Sequence, residues 1–356
     1  MKQRIEYLDA MRGFTMVLVV FSHVLMCSFQ KPAHSGFSFN DIFSSFFMPL
    51  FFFISGFLMY KPGRFLKWKD TMSFIANKFL ALMIPTLFFS LLFSIIFQHR
   101  FLDLMTETSK FGFWFTYTLF FFFFIYALGD HLIGQRLGKT LKYVFGFLIA
   151  ATVYAIAKYS LTPTCPWHGS TINHLIGFAN FQHFLFFFIG AFASRFQDRF
   201  HSLLGGEKMM AGVISLFLIL QLMIQLPSCR DWLTSVSFSL YSVTKSLAAL
   251  FSVIATYAFF WKHHTLFSKD KLVGGTLQRI GIRSLDVYLL HLFLIYVNLS
   301  PVGQFFATYH NPLLELFAGL AGALLVIGLC LVISNIIRCS DFLAKYLFGK
   351  VIPLEK

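Results

Sequence analysis

Ten apolar runs separated by short polar connections set the pattern of this chain, at residues 11–29, 42–60, 79–98, 112–129, 143–160, 181–196, 209–226, 238–261, 284–300 and 314–337. A hydrocarbon core about 30 Å thick is crossed by about 20 apolar residues in a helix. The pattern therefore predicts an all-α protein, a polytopic transmembrane helix bundle of about ten spans. The sixth run, FQHFLFFFIGAFASRF, is the shortest. Neither an internal repeat nor a linker-like stretch interrupts the series, so one membrane-embedded domain is expected over 1–356.

The polar positions orient the bundle. Twenty-two of the 29 lysines and arginines fall in the N-terminal segment, the C-terminal segment and the connections after runs 2, 4, 6 and 8. The alternate connections hold only Lys31, Arg100, Lys110, Lys158 and Arg230. Because Lys and Arg are retained on the cytoplasmic side, both termini are expected inside (N-in/C-in). Lys2 and Arg4 precede the first run, yet its apolar stretch continues to Phe29 with no small-residue cleavage pattern, so it reads as a span rather than a leader.

Composition agrees. The chain is 57% hydrophobic and 12% charged, against about 25% charged in soluble domains. Its net charge of +14 is mostly the loop asymmetry. No recognition module accompanies these scattered cations, so nucleic acid is not an expected partner. Anionic membrane lipids, or a polyanionic cofactor at the cytoplasmic mouth, suit them better. No CxxC or Cys/His spacing points to a metal. Cys165 and Cys229 fall in outer connections, where a disulfide persists and two free thiols are equally compatible. The 51 phenylalanines read as lipid-facing and packing surface rather than a binding box.

Within this apolar background Arg12 and His23 stand out. An ionisable residue in a membrane segment is costly and by default a candidate site. Eleven residues turn a helix through about 1100°, three turns plus about 20°, so the two side chains share one face. They are separated by about 16 Å along the axis, roughly half the hydrocarbon thickness. Asp9 lies one turn from Arg12 on the same face, placed to pair with it. Alone, Arg12 could be a snorkelling anchor and His23 a packing histidine; the shared stripe favours a site. Lys245, Glu315 and His183 fall toward the outer ends of their runs, placed either to line an acceptor vestibule or to snorkel, and snorkelling accounts for all three.

The run EYLDAMRGFTMVLVVFSH, with Asp9, Arg12, Gly13 and His23, resembles the opening of acyltransferase family 3, the bacterial integral-membrane O-acyltransferases. MPLFFFISGFLM (48–59), FWF (113–115), FFIGAF (187–192) and SLDVYLLHLFLI (284–295), which contains His291, are similar to later motifs of that family, in the same order. Many members carry an Arg-rich cluster before the third span. Here only Lys78 stands at that point, a point charge in place of a bidentate fork.

The resemblance implies transfer of an acyl group, most often acetyl, from cytoplasmic acetyl-CoA to a hydroxyl of a saccharide or lipid-linked glycan, at a bacterial inner membrane. The residues fit that chemistry. A sugar hydroxyl needs a base, and neutral imidazole is the suitable one near neutral pH, which makes His23 the candidate catalyst. It either takes the acceptor's proton directly, the simpler route, or becomes acylated. Arg12, oriented by Asp9, and Lys78 are the candidate donor contacts. His291, at membrane depth, is a second catalytic candidate, for an oxyanion or to orient the thioester, or else a packing histidine bonded to Tyr288 or a backbone carbonyl. Ser55 reads as a packing hydroxyl. A transporter or flippase of a lipid-linked saccharide is the competing class, but the paired broken repeats common in transporters are missing.

Overall fold

The structure is a computed structural model that describes residues 5–31, 38–134, 139–162, 164–309 and 311–349. Lys2, Arg4, Arg136, Pro163, Lys350 and Lys356 lie outside them. Among the described residues every regular element is helical. In chain order these are α1 (Glu6–His23), α2 (Phe39–Ser44), α3 (Phe47–Met59), α4 (Trp68–Lys78), α5 (Ile84–Ile96), α6 (Phe101–Thr106), α7 (Trp114–Gly134), α8 (Lys139–Tyr159), α9 (Thr171–Ile176) and α10 (Phe184–Arg195). There follow α11 (Gln197–Gly205), α12 (Glu207–Gln225), α13 (Pro227–Val236), α14 (Phe238–Lys262), α15 (Leu272–Ile282), α16 (Ser284–Leu294), α17 (Ser300–Tyr309), α18 (Pro312–Ile337) and α19 (Asp341–Phe348).

Seven helical stretches are long and apolar enough to cross a membrane: Glu6–Ser28, Phe39–Met59, Trp68–Ile96, Trp114–Leu132, Glu207–Gln225, Leu240–Lys262 and Pro312–Ile337. They match seven of the ten expected runs. The other three form shorter apolar helices, Tyr143–Tyr159, Phe184–Arg195 and Ser284–Leu294. The ninth expected span, 284–300, stops early for a visible reason. Beyond Leu294 the backbone leaves the helix, the Leu299 amide donates to the Ser28 carbonyl at 2.8 Å, and Ser300-Pro301 starts α17. Pro301 suits the first turn of a helix and would break its interior.

The chain divides into two compact units, Met1–Ile54 with Phe196–Ile333, and Ser55–Arg195 with Ser334–Lys356. In the first unit α1 is the enclosed helix: 72% of its apolar window is buried, against 22% for Glu207–Gln225. Glu6 and Asp9 occupy the N-terminal half of α1, where the helix dipole favours acids. α1 crosses α15 at backbone contact. A side chain on Gly13 would collide with the Leu277 carbonyl, and one on Gly281 with the Asp9 carbonyl. Glycine is therefore required at both positions, as in close membrane helix pairs generally. One residue, Arg283 (φ −101°, ψ 16°), separates α15 from α16 and turns the chain so that α16 also reaches α1. Immediately after His23, residues Val24–Ser28 widen into a π turn, a feature often found at functional sites.

In the second unit a π turn, Phe79–Met83, follows Lys78. Pro85 supplies the cause, because it has no N–H to return to the Ala81 carbonyl. Gly56 of α3 packs against the Phe187 carbonyl of α10 with no room for a side chain, which joins two of the sequence motifs. Phe122 of α7 meets Phe181, Phe184 and Phe187 at ring distances of 5.2–5.9 Å, so these phenylalanines are core. Lys110 is buried, donates to the Met105 and His174 carbonyls at 2.8 and 3.1 Å, and its ammonium is pushed down to about 8 by burial. Cys165 and Cys229 are free thiols, one in each unit, so the pairing expected as one alternative is not formed.

Reporter fusions check the orientation expected from the loop cations. Fusions after Lys69 and Lys271 should report cytoplasm, and those near Lys31 and Pro163 the outside. A cytoplasmic signal at Pro163 would contradict ten spans.

Candidate functional site

The first unit gathers three of the sequence-derived candidates on α1. Asp9 and Arg12 form an i,i+3 ion pair at 3.6 Å, the carboxylate less exposed (14%) than the guanidinium (27%). His23 is the last residue of the same helix, so the common face inferred from spacing is realised on one continuous element.

α16 brings in the fourth candidate. His291 is fully buried, and its Nε2 lies 2.9 Å from His23 Nδ1. The rings are nearly parallel, 6° apart with centroids at 5.1 Å. His291 Nδ1 lies 3.0 Å from the Val287 carbonyl one turn back. These contacts assign the protons. A carbonyl only accepts, so His291 Nδ1 carries the N–H. In a neutral imidazole the other nitrogen is then an acceptor, so His291 Nε2 receives a proton from His23 Nδ1. His23 Nε2 is left with its lone pair, and no described residue engages it. The chain of bonds is Val287 C=O, His291, His23, ending on a basic nitrogen.

Both ring nitrogens of His291 have protein partners here, Nδ1 the Val287 carbonyl and Nε2 the His23 ring. The Tyr288 ring lies 6.0 Å from the His291 ring, and the Tyr288 backbone is a further hydrogen-bonding partner of His291.

Lys78, the expected second donor contact, ends α4 in the other unit. Its ammonium lies over the Phe123 ring at 4.1 Å and near Phe74 at 5.5 Å, a cation–π setting. Arg12 and Lys78 thus belong to different units.

Three polar clusters in the first unit were missed. Asp286, 1% exposed, accepts from Arg283 at 3.3 Å, a second i,i+3 acid–arginine pair. Its signal was an acid inside the apolar run SLDVYLLH. Tyr7 and His201 both bond the buried Tyr257 hydroxyl, at 3.2 and 2.8 Å, and burial holds the His201 imidazole below its usual value. Glu315 does not snorkel. It is buried, pairs with Lys31 at 2.6 Å and accepts from Ser38. Of the other two residues grouped with it, His183 stacks on Trp114 at 5.8 Å, and Lys245 is exposed beside Tyr241.

The Lys31–Glu315 pair generates a prediction. Removing one partner of a buried pair strands the other charge, at a cost of about 3–5 kcal/mol, whereas replacing both by apolar residues is often close to neutral. Glu315→Leu should therefore lower the unfolding temperature sharply, and Lys31→Met with Glu315→Leu should recover most of the loss. A double variant as unstable as the single one would contradict the pairing.

The family model described as an acyltransferase domain (Acyl_transf_3) matches residues 5–335 of the chain. That span runs through both units and includes Asp9, Arg12, His23, Lys78 and His291. No curated protein matches the chain, and no solved structure does.

Proposed function

We propose, from the premise that this chain belongs to acyltransferase family 3, that it moves an acyl group from cytoplasmic acyl-CoA to a hydroxyl of an envelope or exported saccharide, with His23 as general base. Family membership makes it a membrane acyltransferase, and the transporter reading falls away. Acetyl-CoA is the donor assigned, following the resemblance in the first-span motif. The bacterial inner membrane, with both termini cytoplasmic, is the setting assigned.

One observation supports the base assignment above the others: the Val287–His291–His23 chain, which leaves an unprotonated nitrogen at His23 Nε2. The acceptor hydroxyl gives its proton to that nitrogen as its oxygen attacks the thioester carbonyl. The C–S bond breaks, the ester forms, and the thiolate of CoA takes the proton back from the His23 imidazolium. Between these events His23 is a cation, and its bond to His291 Nε2 becomes charge-assisted and stronger. His291 is therefore a positioning residue that also favours the protonated form of the base. The hydrogen-bonded pair suits direct proton transfer, which needs no acylated histidine.

At the other end of α1, Arg12 faces the donor, with Asp9 fixing its guanidinium. The axial separation of about 16 Å between Arg12 and His23 is comparable to an extended pantetheine arm. A nucleotide held at the mouth could thus present its thioester at His23 without entering hydrocarbon.

His23→Ala should leave insertion intact and cut transfer by about 10²–10⁴, the contribution of a general base. CoA release from proteoliposomes and mass spectrometry of the envelope glycans give the two readouts. Arg12→Lys should be nearly as damaging, since lysine keeps the charge and loses the fork. Glycan acylation near wild type in His23→Ala would remove the mechanism.

A further inference from the structure

The sequence puts an arginine and an acid at i and i+3 twice in the first unit, as Asp9/Arg12 and as Arg283/Asp286. In each, the carboxylate is the more enclosed partner, with side-chain exposures of 14% for Asp9 and 2% for Asp286, while the guanidiniums keep 27% and 29%. A buried acid behind a half-exposed arginine fixes the direction in which the guanidinium is presented. With five N–H donors in a rigid fork, a guanidinium can bond a carboxylate at one edge and a phosphate at another.

The fold brings the two pairs to one level. Gly281 meets the Asp9 carbonyl and the Gly13 amide at backbone contact. Arg283 is two residues beyond Gly281, and Arg12 immediately precedes Gly13. Arg283 is also the residue before the first turn of α16, an 11-residue helix, whose N-terminal dipole favours an anion. Arg279, one turn before Arg283, is exposed on α15. This charge sits at the opposite end of the stripe from His23, where the reaction is assigned.

We propose that Arg283, held by Asp286, is a second phosphate-binding arginine, which with Arg12 clamps the nucleotide phosphates of the CoA donor at the α1/α15–α16 crossing. This rests on the donor reading above and assigns it a residue. Anionic lipid headgroups offer the same phosphate chemistry, and the test separates the two sources.

Full-length protein in phosphatidylcholine nanodiscs is titrated with CoA and, separately, with pantetheine, which has no phosphate. Arg283→Gln should weaken CoA binding about tenfold, the loss of roughly one charge-assisted contact, and leave pantetheine binding unchanged. Arg283→Lys should fall between. In turnover, KM for acetyl-CoA should rise while kcat at saturation holds, the mark of lost ground-state binding. Wild-type protein supplies a check independent of any variant's folding: CoA should protect amides of residues 279–290 from hydrogen exchange. Unchanged CoA affinity in Arg283→Gln, an equal loss for pantetheine, or no protection of 279–290 overturns the assignment. Protection produced by phosphatidylglycerol in the nanodisc and not by CoA overturns it in favour of a lipid headgroup. Failure of wild-type protein to bind CoA at all removes the donor reading itself, whereas wild-type binding with an unaffected Arg283→Gln removes only the clamp.

Discussion

Two missing side chains govern the first unit. Gly13 and Gly281 let α1 and α15 approach until backbone touches backbone. A single Cβ at either position would push the helices apart, and interhelical packing in a membrane is built from such close contacts rather than from hydrophobic exclusion. That approach fixes the depth at which α15 ends, hence where the chain turns at Arg283, hence where α16 presents His291. A hydrogen bond of 2.9 Å between residues 268 apart in sequence tolerates little displacement. The His23–His291 contact is therefore a consequence of the glycine crossing. The Ser28 hydroxyl, bonded to the Ile295 carbonyl at 2.5 Å, ties the far end of the same helix pair.

The second constraint is the cost of an unsatisfied polar group in hydrocarbon. Several polar side chains that enter the first unit are answered by another group: Arg12 by Asp9, Arg283 by Asp286, Lys31 by Glu315, His291 by His23 and Val287, Tyr257 by Tyr7 and His201. Asn40 Oδ1 and Gln221 Oε1 are buried in this unit with no partner among the described residues, and no described residue bonds His23 Nε2. In the second unit, aromatic rings take over much of this work, with Lys78 and Arg195 lying over phenylalanine and tyrosine faces.

Helical periodicity made the shared face of Arg12 and His23, and the Asp9–Arg12 pair, legible in the sequence, because each depends on one helix alone. The apolar runs likewise marked seven helices of spanning length. What sequence could not carry was long-range or a matter of backbone detail. Glu315 and Lys31 are 284 residues apart, so each alone resembles an interface anchor. His291 was found as a candidate, but its role depends on which nitrogen faces Val287, a property of the fold. The stretch IGIRSLDV reads as a smooth entrance to a span, and nothing local announces a corner at Arg283. Of the two π turns, Pro85 gives a readable cause for one, and the turn after His23 carries no such mark.

The central claim is that His291 acts by accepting the Nδ1 proton of His23 and so keeps Nε2 basic. The direct measurement compares transfer by His291→Gln and His291→Phe across pH. Glutamine can place its side-chain carbonyl near the position of Nε2 and accept the same bond, while phenylalanine fills the space without an acceptor. His291→Gln should retain much of the wild-type kcat with a similar pH profile. His291→Phe, folded and donor-binding, should lose kcat with little change in KM for acetyl-CoA. Equal activity in the two variants, or a His291→Phe enzyme close to wild type, would contradict it.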